Sequence, residues 1–472
     1  MKHYSASAIA ILAGGCASIG GGDFAADYTL ATTTVPNEWA VTLPAPAEQT
    51  DWLSQFNSET MNSLIAEALQ ANPSLIAARA RADAASATAR AARGSRLPSL
   101  SGSSSAERNF VSSGSGSSDY NDFSLGLSTS WEVDLWGQVS KRISASDKDF
   151  LANEADLEDL KLSIAGRTAN AWINLSNARA QLALANDELD ARKNARELTE
   201  RRVATGLATT LDVRLSRSAE ASAESSIARS QLNVKDAART LEVLLGRYPS
   251  AEVNAPETPP RLVAMPNADI SPMELLARRP DIAAAEARMA ASGLRADLAR
   301  LAMRPSLSLT GSASIRSTEV EDLLDIDQLA GRVLANLTAP IFNGGRLANE
   351  SKAARFQAQA AAANYASAVL SAWEEVEGAR AADISLAQQE LALQVAMDEA
   401  EAAETIAERQ YQQGLISIFN LIDAQTRRIN ANSQLLATRA SRAINRINYH
   451  LALGGGDAPV LNTPANNAPA GN

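Results

Sequence analysis

The sequence predicts a mainly α-helical protein that also contributes strands to a membrane β-barrel, laid out as two tandem structural repeats. Three observations carry that prediction. The chain is similar to itself at a period near 207 residues. Each copy contains two segments in which apolar residues alternate with serine, threonine or glycine. Each copy then runs for more than sixty residues in a helical pattern that no proline interrupts.

Composition narrows the function classes. The chain has 472 residues, room for two or three ordinary domains or one long object. Only 4% are aromatic and alanine is abundant, which suits long, closely packed helices better than one thick core. Net charge is −11 with no Lys/Arg block, so no nucleic acid is expected as a partner. Two histidines and one cysteine leave almost no scope for a metal cluster, a Cys/His nucleophile pair or a disulfide. The glycines of "SIGGGDF" have no strand–helix context and read as linker. No convergent polar site is visible, so no enzyme and no cofactor is expected. His450, on the last helix, is expected as a packing or surface residue.

The elements follow in order. "MKHYSASAIAILAGG" has a basic start and a short apolar stretch, the pattern of a secretory signal peptide over 1–15. Small residues then precede Cys16, as at a bacterial lipoprotein cleavage site. Residues 16–56 read as an extended N-terminal segment. Repeat 1 is expected over 57–250. It holds a helix of about 35 residues running to a proline, strands over about 99–135 and a long helical hairpin with its tip near 206. Repeat 2 is expected over 264–456 with the same plan, strands over about 306–341 and a tip near 414. Residues 457–472 read as a flexible tail.

The repeat rests on specific matches. "NPSLIAARARADAASATARAARGSRLPSL" aligns with "RPDIAAAEARMAASGLRADLARLAMRPSL", placing Pro73 and Pro98 on Pro280 and Pro305. "RRVATGLATTLDV" aligns with "RQYQQGLISIFNL", placing Gly206 on Gly414. An offset that drifts so little over such a length marks an internal duplication.

The strands alternate cleanly. In "FSLGLSTSWEV", Leu125, Leu127, Thr129, Trp131 and Val133 share one face and Ser124, Gly126, Ser128, Ser130 and Glu132 the other. An ordinary solvent face would carry more Lys and Glu; this one suits a barrel with lipid outside and water inside. The helices between the strands and the tips show a seam of Leu157, Leu160, Ile164, Ala171, Leu175, Ala178, Leu182, Ala185 and Leu189, whose three- and four-residue steps predict supercoiling with neighbours. Trp136-Gly137 and Phe342, Gly344 and Gly345 mark the two places where strand hands over to long helix. Glycine permits the backbone angles needed there, and Trp131, Trp136 and Phe342 suit a membrane interface.

No window is long and apolar enough for a transmembrane helix, so a membrane crossing must use strands in a closed barrel. Four strands per chain cannot close one. Closure must come from an oligomer, and a trimer supplies a 12-stranded β-barrel above a barrel of helices.

Five stretches together are similar to the TolC-like outer-membrane efflux ducts, especially the lipoprotein branch that serves resistance–nodulation–division (RND) drug pumps. They are "WLSQFNSETMNSLIAEALQANPSLIAARARADAA", "DLWGQ", "LLARRPDIAAAEARMAAS", "PIFNGGR" and "YQQGLISIFNLIDAQ", within a match covering about 52–454. The resemblance implies a homotrimer, a β-barrel continuous with a long periplasmic α-helical barrel, and lipidation of Cys16 in the outer membrane. It implies a periplasmic adaptor protein and an inner-membrane RND-type pump as partners, beside outer-membrane lipid. The adaptor would touch the hairpin tips at Thr205, Gly206, Leu207, Gln413, Gly414 and Leu415. The family's channel gate maps onto Asp212, Tyr411, Asn420 and Asp423, with a contact between Tyr411 and Asp212 tying the closed state. Asn420 stands where the family has an acid, and Ile416 where it has a second, arginine link. Asp212 and Asp423 can equally be read as helix caps and surface groups after a turn. The function implied is a passive efflux duct for drugs or small toxic compounds. A type I protein secretion exit duct and a non-conducting, lipid-anchored coiled-coil scaffold of the periplasm are the alternatives.

Overall fold

The computed structural model describes residues 36–43, 52–113, 116–262, 265 and 270–455. The expected signal peptide, Cys16 and the expected tail lie outside these residues. The chain enters through a 3-10 turn over Trp52–Phe56, where an extended segment was expected; Leu53 and Phe56 are buried there and pull the backbone onto the core.

The first helix of each repeat differs from expectation. It is broken in two, α1 (Glu59–Ala71) and α2 (Pro73–Gly94) in repeat 1. The residue before a proline is pushed out of the helical region, and Asn72 duly sits at ψ 122. Asn72 stabilises the break. Its side-chain oxygen accepts the Ser74 N–H at 2.9 Å, and its side-chain nitrogen donates to Leu244 O at 2.8 Å. Repeat 2 does the same with α5 (Pro272–Arg278) and α6 (Pro280–Leu301). Arg279 is extended at ψ 119, and its guanidinium donates to Ala452 O at 3.0 Å. A proline at the first helical position costs nothing, because its missing N–H would have had no partner.

Four antiparallel strands follow: β1 (Ser99–Ser113), β2 (Gly116–Val133), β3 (Ser306–Ser317) and β4 (Ala330–Thr338), in the order β1-β2-β3-β4. Opposite residues share a face. Row by row, Leu127, Ala313 and Gly331 fall on one side, and Ser128, Ser312 and Arg332 on the other. Among the described residues, β1 and β4 are edges with no strand beyond them. Exposed edges are not stable in lipid, so this sheet is an incomplete wall.

The long helices are α3 (Gln138–Ala204) and α4 (Thr210–Leu244) in repeat 1, α7 (Arg346–Gln413) and α8 (Ile418–Ala452) in repeat 2. At a rise of ~1.5 Å per residue, α3 and α7 are each about 100 Å long. None of the described helices is long and apolar enough to cross a membrane.

The described residues form two compact units. One holds Ala80–Asp156 and Asp281–Ala368, with the sheet. There the helices are joined by ion pairs, including Lys141–Asp297 at 2.5 Å and Arg93–Asp147 at 3.0 Å. The other holds Val35–Arg79, Leu157–Pro280 and the chain from Val369. Its core packs Met61 and Ile65 of α1 with Ile164, Trp172 and Ile173 of α3 and Ile447 of α8. Along the predicted seam, Ile164, Ala171, Leu175 and Ala185 are buried.

Candidate functional site

The hairpin tips are built by two short reversals between long helices. Each long helix ends in a glycine with positive φ, +75 at Gly206 and +83 at Gly414. Leu207 N–H then reaches back to Arg202 O at 2.8 Å, and Leu415 N–H to Gln410 O at 2.9 Å. These are Schellman closures, which only glycine adopts without steric cost. The next residues start the returning helices, so each reversal takes a handful of residues.

The two tips are then capped differently. Thr209 and Asp212 form a reciprocal capping box on α4. Asp212 N–H donates to Thr209 Oγ1 at 3.3 Å, and Thr209 N–H to the Asp212 carboxylate at 2.8 Å. At the equivalent places of repeat 2, Ser417 makes no side-chain cap bond. Its hydroxyl donates instead to Asn420 Oδ1 at 2.7 Å. Asn420 thus corresponds to Asp212.

Tyr411 is the centre of the site. It is 2% exposed, packed among Ala195, Ala407, Ile418 and Leu421. Its hydroxyl lies 2.7 Å from Thr199 Oγ1. Thr199 already donates to Ala195 O at 2.7 Å, so in the pair Tyr411 donates and Thr199 accepts. The expected Tyr411–Asp212 contact is not formed. Asp212 is occupied by its own helix cap, and the tyrosine by α3.

Arg202 contacts both tips instead. Its guanidinium lies 4.5 Å from the Tyr411 ring centroid, donates to Tyr411 O, and donates to Leu207 O at 3.2 Å. One side chain therefore joins both tips. A Cβ at Gly414 would reach ordinary contact with Arg202, 3.4 Å from Nη2; the positive φ is what favours glycine there. Higher up, Arg192, 4% exposed, donates to Ile422 O, Gln425 Oε1 and Thr426 Oγ1 at 3.1, 2.9 and 2.9 Å. Neither arginine was singled out from sequence, where each reads as an ordinary helix-surface cation.

Within each hairpin the ties are ionic. Arg196 pairs with Glu220 at 2.5 Å in hairpin 1, and Glu404 pairs with Arg428 in hairpin 2. Glu200 pairs with Arg217 and Arg196; the Arg217 hydrogen bond foremost holds its carboxyl below the usual range. Asp423, a predicted gate residue, is exposed and pairs with Arg427 at 2.8 Å on its own helix. Leu207, Leu211, Leu415 and Phe419 are exposed apolar residues at the tips.

The strand-to-helix turns differ as well. Trp136 Nε1 donates to Pro305 O at 2.7 Å, and Asp134 accepts the Val139 and Ser140 N–H groups at 2.8 and 2.9 Å. Phe342 is 90% exposed. Gly137, Gly344 and Gly345 all have positive φ, the angles expected at these turns. Among the described residues no group of His, Cys, Asp and Glu is placed to hold a metal ion.

A four-stranded sheet with one apolar face, in a chain carrying two long helical hairpins, defines an outer-membrane channel subunit. The chain belongs to the outer membrane efflux protein family, whose sequence profile matches residues 64–247 and again 272–455. The double match is the duplication. The pyoverdine export outer membrane protein OpmQ of Pseudomonas aeruginosa is 29% identical over 469 residues, 97% of each chain. The cation efflux system protein CusC of Escherichia coli is 28% identical over 446 residues, 92% of this chain and 96% of that one. The solved outer-membrane channel OprN superposes with a TM-score of 0.82 at 27% identity, covering 89% of this chain and 98% of that one. The protein is thus an outer-membrane channel component of an efflux system.

Proposed function

We propose that three copies assemble into a passive exit duct for drugs or small toxic compounds, anchored to outer-membrane lipid through Cys16. A periplasmic adaptor and an inner-membrane RND-type pump supply the drive. The channel does no chemistry of its own and needs no cofactor. The observation that carries this reading is the sheet with two unpaired edges and one apolar face, which only sibling copies can complete.

The adaptor meets the tips around Thr205, Gly206, Leu207, Gln413, Gly414 and Leu415, where Leu207 and Leu415 offer matched apolar knuckles. The resting gate is held by Arg202, Tyr411 and Thr199, and opening separates the two tips of one subunit. Asn420 and Asp423 line the constriction as one neutral and one acidic group, so the ring there is weakly negative.

The test is electrical. Detergent-purified protein should run as a trimer and give discrete conductance steps in a planar bilayer. A folded, water-soluble monomer without conductance would favour the scaffold reading instead.

A further inference from the structure

We propose that Arg332 forms a cationic band inside the barrel that favours anionic cargo, such as carboxylates and phosphates, over cationic cargo. The inference rests on the trimeric duct reading and adds a chemical preference to it.

The register sets out the wall row by row. Three consecutive rows of the hydroxyl-rich face read Ser99–Ser130–Thr310–Leu334, Ser101–Ser128–Ser312–Arg332 and Ser103–Gly126–Ser314–Ala330. Arg332 is the single charge among these positions. The opposite face of β4 is Gly331, Val333, Ala335 and Leu337, all apolar, so the strand itself separates a lipid side from a water side. An arginine on the lipid side would be strongly disfavoured, and its place on the serine face puts it in the lumen.

Two acids of that face are matched, and Glu107, opposite Asp122 toward the strand tips, is a third and exposed one. Two rows outward, Arg316 sits 3.4 Å from Asp122. Toward the helices, Glu132 sits 3.8 Å from Arg142. The Arg332 side chain is exposed and has no ion-pair or hydrogen-bond partner among the described residues. Symmetry would repeat it three times at one height, with the Ser312 hydroxyl beside each copy and those of Ser128 and Ser101 further along the same row. Such a ring raises the local concentration of anions without binding them tightly, because its hydroxyl neighbours carry no charge.

The experiment measures reversal potentials across a KCl gradient near ~0.1 M, where screening lengths are about 10 Å. Arg332→Ser should lower the anion-to-cation permeability ratio roughly twofold, and Arg332→Glu should lower it further. Arg332→Lys, which keeps the charge, should retain the wild-type ratio. The difference should vanish near ~1 M salt, where screening shortens to about 3 Å. Conducting Ser and Glu variants with an unchanged ratio would overturn the proposal while leaving the duct intact. A Lys variant shifted as far as Ser would also overturn it. A wild-type protein that never conducts would remove the duct, and this inference with it.

Discussion

The two hairpins are one design executed twice, and their differences are more informative than their likeness. α4 and α8 are both 35 residues long, and each begins 208 residues from its counterpart. Yet Arg196 and Glu220 of hairpin 1 become Glu404 and Arg428 of hairpin 2. The same bridge survives with its charges exchanged. Asp212 becomes Asn420, and a full capping box becomes a single side-chain bond. Arg202, which holds both tips, becomes Gln410. In the last turn, Glu242 becomes His450. Duplication kept the positions where something must hold, and left the chemistry free to change.

The sharpest way to break the comparison is at the tips. Arg202→Ala removes a cation–π contact and hydrogen bonds from a charged donor, together about 2 kcal/mol. If those contacts are absent in the open state, the closed-to-open ratio should fall roughly thirtyfold, read as more frequent large conductance steps. Gln410→Ala, its counterpart, should leave conductance as it was. Equal effects would show that the two tips share the gate.

The exchanged bridge offers the next test. Glu404→Arg sets two arginines together at a site with little exposure and should destabilise the protein by about 2 kcal/mol. Adding Arg428→Glu, which copies hairpin 1's polarity, should recover most of it in thermal melts. Failure to recover would mean that each polarity is fixed by surroundings beyond the pair.

The Glu242/His450 difference predicts a pH dependence. Burial alone would raise the Glu242 carboxyl. Hydrogen bonds from the backbone of Ala251, Val253 and Glu252, with Arg247 nearby, bring it instead below the usual range. His450 is pushed down to about 3, first by burial and then by Arg446. Unfolded, the imidazole takes a proton below about pH 6.5; folded, it stays neutral. Acid therefore favours the unfolded chain, and stability is lost as pH falls from about 6.5 toward 3, by roughly 1–2 kcal/mol at about pH 5. His450→Gln should flatten that limb of a melting-temperature profile. An unaltered slope would place the acid sensitivity elsewhere.

The smallest expected effect is a gain. Asn420→Asp should complete the second capping box with Ser417 and stabilise the protein by about 0.5–1 kcal/mol. Thermal melts at neutral pH would show it, and no gain would mean that the carboxylate disturbs the tip more than it caps it.

Much of this was legible in the sequence, and the reasons are local. Strand faces follow from alternation, and tip positions from glycine between long helical runs. The bounds of α3 and α7 follow from the absence of proline. Breaks at Asn72 and Arg279 were foreshadowed by Pro73 and Pro280 but masked by unbroken alanine-rich periodicity on both sides. What stayed hidden depends on which helices lie side by side. Thr199 and Tyr411 are 212 positions apart, and nothing in either segment names the other as partner. Arg202 looks like any solvated cation until the second tip is placed beside it. Asp212 could be read both as a gate acid and as a helix cap, and the geometry with Thr209 shows the cap.

The two raw edges of the sheet have a genetic consequence. If no subunit stands alone, folding is pooled among three siblings, and stability depends on how much chain is present. A variant that still docks but spoils the pore then damages its neighbours. In a cell making equal amounts of sound and faulty chain, only about one assembly in eight would be wholly sound. Harmful alleles whose chains still dock should therefore behave as dominant ones.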